Sequence, residues 1–249
     1  MNLNAVKAAA LALAIMSAPV AAEAAEVTLL ISNALKTVME ELAPQFEQAT
    51  GHKLAITYGS TNPLKARIEK GEAFDLTILG DAAIDDLVKQ GKLVAATRAV
   101  VARSGLGVAI RKGATRPDIS TTEAFKRTLL DAKSIAYLVD GLTGTYLKVL
   151  LQRLGITDSM QAKYTNARGA EAVARGEVEL GVTQMSEILH QTGAELAGPL
   201  PPEVQNYTNF SSAVGAGARQ DAAARALLRY FASPAAARLM KANGLEPPG

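Results

Sequence analysis

Hydroxyl and amide side chains recur in this chain where a short apolar run gives way to a helical pattern. Val27 to Ile31 runs into Ser32-Asn33, and Leu54 to Tyr58 runs into Gly59-Ser60-Thr61-Asn62-Pro63. Ser134 to Val139 exits through Asp140-Gly141-Leu142-Thr143-Gly144-Thr145, and Glu179 to Thr183 ends at Gln184-Met185-Ser186. Such residues at the head of a helix have two uses. They cap it, worth ~1 kcal/mol each, or they join the unpaired backbone N–H groups and the positive end of the helix dipole in receiving a small anion. Recurrence at equivalent strand-to-helix junctions favours the second use for Ser32 and Ser60. Thr143 and Thr145 flank Gly144, whose missing side chain would let the backbone approach a ligand. Arg168, just ahead of another helical pattern, can grip a carboxylate with two parallel hydrogen bonds. It can equally be a solvated arginine at a helix start. Gln184 offers both a donor and an acceptor. The candidate ligand-binding residues are therefore Ser32, Asn33, Ser60, Thr61, Thr143, Gly144, Thr145, Arg168 and Gln184.

Other chemistries find little support. The chain has no cysteine, so disulfides and thiol catalysis are excluded. His52 and His190 lie far apart, and no Gly-x-Ser-x-Gly elbow is present. Gly105-Leu106-Gly107 lies within a strand pattern rather than ahead of a helix, so it is not a dinucleotide fingerprint. Asp81, Asp85 and Asp86 make an acidic helix start that suits the dipole without catalysis. The expectation is a binding protein, not an enzyme, with no metal and no cofactor; a periplasmic hydrolase is the enzymatic alternative. A net charge of +2 with scattered basic residues argues against a nucleic-acid partner.

The elements that must position these residues alternate between strand and helix, the mark of an α/β architecture with mainly parallel strands. Leu35, Val38, Met39, Leu42 and Phe46 form one buried stripe, in which Pro44 predicts a kink. Asn62 is the expected cap of the next helix and Gly71 its terminator. Residues 1–24 read as a cleavable export signal: Lys7, the apolar run Ala8 to Met16, and the small-residue site Ala22-Glu23-Ala24. About 225 residues remain, enough for two small lobes. The expected division is 25–101 with 208–249 as lobe 1 and 102–207 as lobe 2, with hinges near Val100–Ser104 and Tyr207–Ser211. Strand-end loops of the two lobes would face each other across a ligand cleft.

Several motifs carry a family resemblance. Ser32-Asn33-Ala34-Leu35, Tyr58-Gly59-Ser60-Thr61 with Ile68-Glu69-Lys70-Gly71, and Phe74-Asp75-Leu76 resemble the periplasmic molybdate-binding protein family. So do Gly144-Thr145-Tyr146 ahead of Leu154-Gly155, and Arg168-Gly169-Ala170 ahead of Gly176-Glu177. The resemblance implies a type II periplasmic binding-protein fold, a periplasmic location, a monomer, a small anionic solute and an ABC permease as partner. It places the family's ligand-contacting positions at Ser32, Ser60, Thr143 and Ala167, and puts Gln184 where the family carries a tyrosine. Two ligand classes stay open: molybdate or tungstate, as the family implies, and a small mono- to tricarboxylate, for uptake or sensing, as Arg168 and Gln184 suggest.

Overall fold

In the computed structural model, which describes residues 24–247, the short apolar runs become strands and the amphipathic runs between them helices. The export signal expected at residues 1–24 lies, through residue 23, outside the described residues. The chain enters on β1 (Glu26–Ser32), makes one 3-10 turn (Asn33–Leu35) into α1 (Lys36–Thr50), and returns on β2 (Lys53–Gly59) beside β1. Gly51, at φ 77°, ends α1 in the left-handed region that glycine adopts without penalty. α1 is one helix through Pro44. α2 (Thr61–Glu69), β3 (Leu76–Gly80) and α3 (Asp81–Lys89) follow, and β1 lies parallel to both β2 and β3. The α2 cap position is Ser60 rather than Asn62, which falls inside the first turn.

β4 (Ala99–Arg111) then crosses into the second lobe. That lobe holds α4 (Thr122–Asp131), β5 (Ile135–Tyr137), α5 (Leu142–Arg153), α6 (Thr157–Gln161) and β6 (Tyr164–Asn166). It continues with α7 (Gly169–Arg175), β7 (Leu180–Gln184), α8 (Met185–Ile188) and β8 (Ala194–Pro199). β9 (Tyr207–Val214) returns, and α9 (Asp221–Phe231) and α10 (Pro234–Ala242) close the chain. The strand order is β2-β1-β3-β9-β4-β7-β5-β6, with β8 also on β4. The expectation of mainly parallel strands is corrected. Only the pairs β1–β2, β1–β3, β5–β6 and β5–β7 are parallel, whereas β9 runs antiparallel to β3 and β4, and β4 antiparallel to β7 and β8. Apolar runs do not encode direction. A chain that leaves one lobe and returns beside its own exit path must run opposite to it.

The side chains of β1 alternate between the two faces of the sheet, as a pleat requires. Val27, Leu29 and Ile31 pack with α1, α9 and α10, while Leu30 faces Leu64, Ile68 and Ile84 on the other side of the sheet. The second lobe has its own core, built from Leu106, Val108, Phe125, Leu147, Leu150 and Val182. β4 joins the two: Ala99–Gly105 pairs with β9 and Leu106–Arg111 with β7 and β8, with a register shift against β9 between Val100 and Ala102. Buried Asp75 fastens lobe 1 internally. Its Oδ2 accepts from the Thr28 N–H at 2.8 Å, and its Oδ1 from Arg219 and Gln220 at 2.7 and 2.9 Å, tying β1 to the head of α9.

Candidate functional site

The strand ends of the two lobes meet around a cavity of ≈ 40 Å³. Lobe 1 lines it with Ser32, Asn33, Ser60, Thr61 and Phe210, and lobe 2 with Gly141, Leu142, Thr143, Arg168, Gln184 and Glu187 among others. Ser32 stands at the head of the 3-10 turn and Ser60 at the head of α2, yet neither side chain makes a capping hydrogen bond. Both hydroxyls are thus left for whatever enters the cavity. Thr61 Oγ1 accepts from the Gly80 N–H at 3.3 Å, so that hydroxyl also pins the end of β3. The first turns of α2 and α5 both line the space, so their unpaired N–H groups and dipoles add to its affinity for anions.

Gly144 and Thr145 lie outside the cavity lining. A Cβ at Gly144 would sit 2.2 Å from Leu138 O and 2.6 Å from Val139 Cα, so its missing side chain seats α5 against the chain leaving β5 rather than admitting a ligand. Thr145 Oγ1 donates to Gly141 O at 3.1 Å, one turn back on its own helix. Arg168 does reach the cavity. It stands at the head of α7, where Gly169 packs so closely that a Cβ there would lie 2.9 Å from Ala136 O and 3.0 Å from Val182 N. Its Nη1 donates to Glu171 Oε1 at 2.6 Å. Gln184 Nε2 donates to Thr208 Oγ1 at 3.1 Å across the lobes, while its Oε1 is buried with no partner among the described residues.

One charged lining residue escaped the sequence analysis, Glu187 on α8. It also faces an outer pocket of ≈ 260 Å³ lined by Asn33, Lys36, Glu40, Arg168, Glu171 and His190. The Thr183 hydroxyl donates to the Glu187 carboxylate. Burial in the cleft pushes that carboxyl up from its ordinary value; the Thr183 hydrogen bond and the Arg168 charge pull it down, and Glu171 pushes it up again. The signal available was its position, three residues past Gln184 on the same strand-to-helix turn. Among the described residues, no group of three or more histidine, aspartate or glutamate side chains is placed to hold a metal. A larger cavity, ≈ 750 Å³, opens where β5 and β7 begin, away from these strand ends, and none of the candidate residues lines it.

Two α/β lobes joined by antiparallel crossing strands, with strand-end loops facing one another over a hydroxyl-lined cavity, define the type II periplasmic binding-protein fold. The chain belongs to the family of bacterial extracellular solute-binding proteins, which it matches over residues 27–246. It is 37% identical to an aconitate isomerase from a Pseudomonas species, over 88% of this chain and 87% of that protein. It is 28% identical to the molybdate-binding protein ModA of Escherichia coli, over 97% and 96% of the two chains. The solved periplasmic molybdate-binding protein of Azotobacter vinelandii superposes with a TM-score of 0.73 at 21% identity, covering 90% of this chain and 100% of that one. The resemblance to molybdate-binding proteins is therefore real. The expectation that the chain is no enzyme is overturned, because the 37% identical relative is named as one. A nucleophile–base pair is what hydrolysis needs; proton transfer between carbons does not require one.

Proposed function

We propose that the cleft binds a small polycarboxylate of the aconitate kind and isomerises it, with the solute-binding frame holding the anion. Arg168 carries this reading, as a guanidinium held at the junction of the inner cavity and the outer pocket. The identity of 37% to an aconitate isomerase supports it. A six-carbon tricarboxylate exceeds a cavity of ≈ 40 Å³ and fits only by extending into the outer pocket of ≈ 260 Å³. One carboxylate then lies among the Ser32, Ser60 and Thr143 hydroxyls and the first-turn N–H groups of α2 and α5. A second lies against Arg168. The two-lobe division (25–101 with 208–249, and 102–207) lets closure about β4 and β9 exclude water from the bound anion.

A second reading is a carrier of molybdate or tungstate for an ABC permease. The small inner cavity with its neutral hydroxyls favours it, as does the identity of 28% to ModA. Both readings take the export signal at its word and place the protein in the periplasm, as a monomer acting on a small anion. The deciding experiment incubates the protein with trans-aconitate in D₂O under proton NMR, alongside calorimetric titration with molybdate, tungstate and sulfate. Appearance of cis-aconitate carries the first reading. Tight molybdate binding without turnover overturns it in favour of the second.

A further inference from the structure

Among the described residues, Glu187 is the only carboxyl that lines the inner cavity, and it lines the outer pocket as well. A polycarboxylate spanning the two spaces passes directly over it. Thr183 hydrogen-bonds one of its oxygens, and Arg168 lines the same junction. We propose that Glu187 carries the proton in the isomerisation, taking it from the methylene carbon of the bound polycarboxylate and returning it at the far carbon of the same allyl unit. This rests on the polycarboxylate reading above.

The step balances without a co-reactant. First the methylene C–H bond breaks, an O–H bond forms on Glu187, and the electron pair spreads over the allyl unit into the adjoining carboxylates. Then the O–H bond breaks, a C–H bond forms at the other end, and the double bond has moved one place. Nothing is oxidised or reduced, and Glu187 returns to its starting form. Both ends of an allyl unit present the same face, so one carboxyl serves both. Arg168, against a carboxylate that takes up the charge, stabilises the carbanion as it develops.

The groups facing Glu187 are Arg168 and Glu171 at the head of α7, Lys36 and Glu40 on α1, Thr183 on β7 and His190 just past α8. Burial raises the carboxyl's proton affinity, so the base form is lost on acidification earlier than for an ordinary glutamate. The expected kcat/KM therefore falls toward low pH with a limb above the usual carboxylate range.

The test compares the wild type with Glu187→Gln, Glu187→Asp and His190→Gln on trans-aconitate. Glu187→Gln is expected to lower kcat by roughly 10²- to 10⁴-fold and to abolish the acid limb. Its aconitate affinity by calorimetry, and its melting temperature, should stay near wild type. Glu187→Asp keeps a titrating acid one methylene shorter, so it retains a limb with an intermediate rate; His190→Gln, which removes the imidazole lining the outer pocket, keeps the limb. Wild-type turnover in Glu187→Gln, or a surviving acid limb there, overturns the proposal while the polycarboxylate reading stands. If Glu187→Gln melts early, Glu187→Asp decides, and an unaltered rate and limb in it overturn the proposal. A wild type that neither binds nor converts aconitate overturns the reading itself, and the role of Glu187 with it.

Discussion

Replacing Arg168 by alanine separates a carboxylate site from a site of neutral donors. The guanidinium faces the junction of the two cavities and spends one N–H on Glu171 at 2.6 Å. A ligand carboxylate taking the remaining fork gains a charge-assisted contact of about 1.5–3 kcal/mol. At about 1.4 kcal/mol per factor of ten, Arg168→Ala should weaken aconitate binding by roughly 10- to 150-fold. The substitution also leaves Glu171 with only its longer contact to Arg175, at 3.9 Å, beside an anionic ligand, which adds repulsion to the loss. Arg168→Ala combined with Glu171→Ala removes that second contribution and isolates the first. Arg168→Lys keeps the charge but not the planar fork, and should fall between wild type and Arg168→Ala. Stability is a usable control, because the side chains of the pair are 36% and 35% exposed and such ion pairs contribute about 0–1 kcal/mol. The assay is calorimetric titration of ligand-stripped protein with cis- and trans-aconitate. Affinity in Arg168→Ala within about twofold of wild type refutes the reasoning and removes the guanidinium from the site.

The lobes meet where Leu142 packs into the lobe 1 core beside Gly80, and a Cβ at Gly80 would lie 2.6 Å from Leu142 Cδ1. Gly80→Ala should therefore hold the cleft open at a cost of about 1–3 kcal/mol in closure, read as weaker ligand binding and a larger radius of gyration by X-ray scattering. Adding Leu142→Ala should restore the smaller radius. Asp75→Ala strands three backbone N–H groups, so a loss of about 3 kcal/mol or more is expected, and thermal melting should show a fall of roughly 6–12 °C. Ser32→Ala and Ser60→Ala remove hydroxyls that cap nothing, so melting should shift by less than about 1 °C, while each weakens anion binding by about 0.5–1.5 kcal/mol.

The first lobe was legible because its apolar runs are short and separated by amphipathic helices, which left β1 and β2 readable to within a residue at each end. β4 begins at Ala99, ahead of the strand pattern that holds Gly105-Leu106-Gly107, because Arg103 and Ser104 interrupt its apolar run. Arg103 is a surface residue there, pairing with Glu246 at 2.8 Å and lying 4.2 Å from the centre of the Tyr207 ring. β8 carries Glu195, Gly198 and Pro199, a composition that reads as loop and becomes strand only through pairing with β4. In the site, proximity to a strand end was readable but side-chain direction was not. Each helical residue turns about 100° from the last, so Thr143 faces the cavity while Gly144 and Thr145 turn behind it. Glu187 was invisible for a different reason. Its enclosure depends on residues of the other lobe, Asn33, Lys36 and Phe210, closing over it.

The charge pattern of the cleft bears on which activity it serves. An anion receptor gains from neutral hydroxyls, helix N-termini and a dry closed cavity, and the inner space supplies all three through Ser32, Ser60 and Thr143. A carboxyl facing the same anion works against that purpose. Glu187 must either stay protonated, which its burial promotes, or repel the ligand, and neither improves holding a small oxyanion. For moving a proton between two carbons, the same carboxyl is the required part, and a raised proton affinity brings it toward the balance between accepting and giving that acid–base work demands. Arg168 answers the remaining difficulty, offsetting the negative charge of Glu187, Glu171 and the ligand at one junction. On the proposed reading, the solute-binding frame needs few additions to serve as an isomerase: one acid at the mouth of an anion site, and one cation to let the ligand lie beside it.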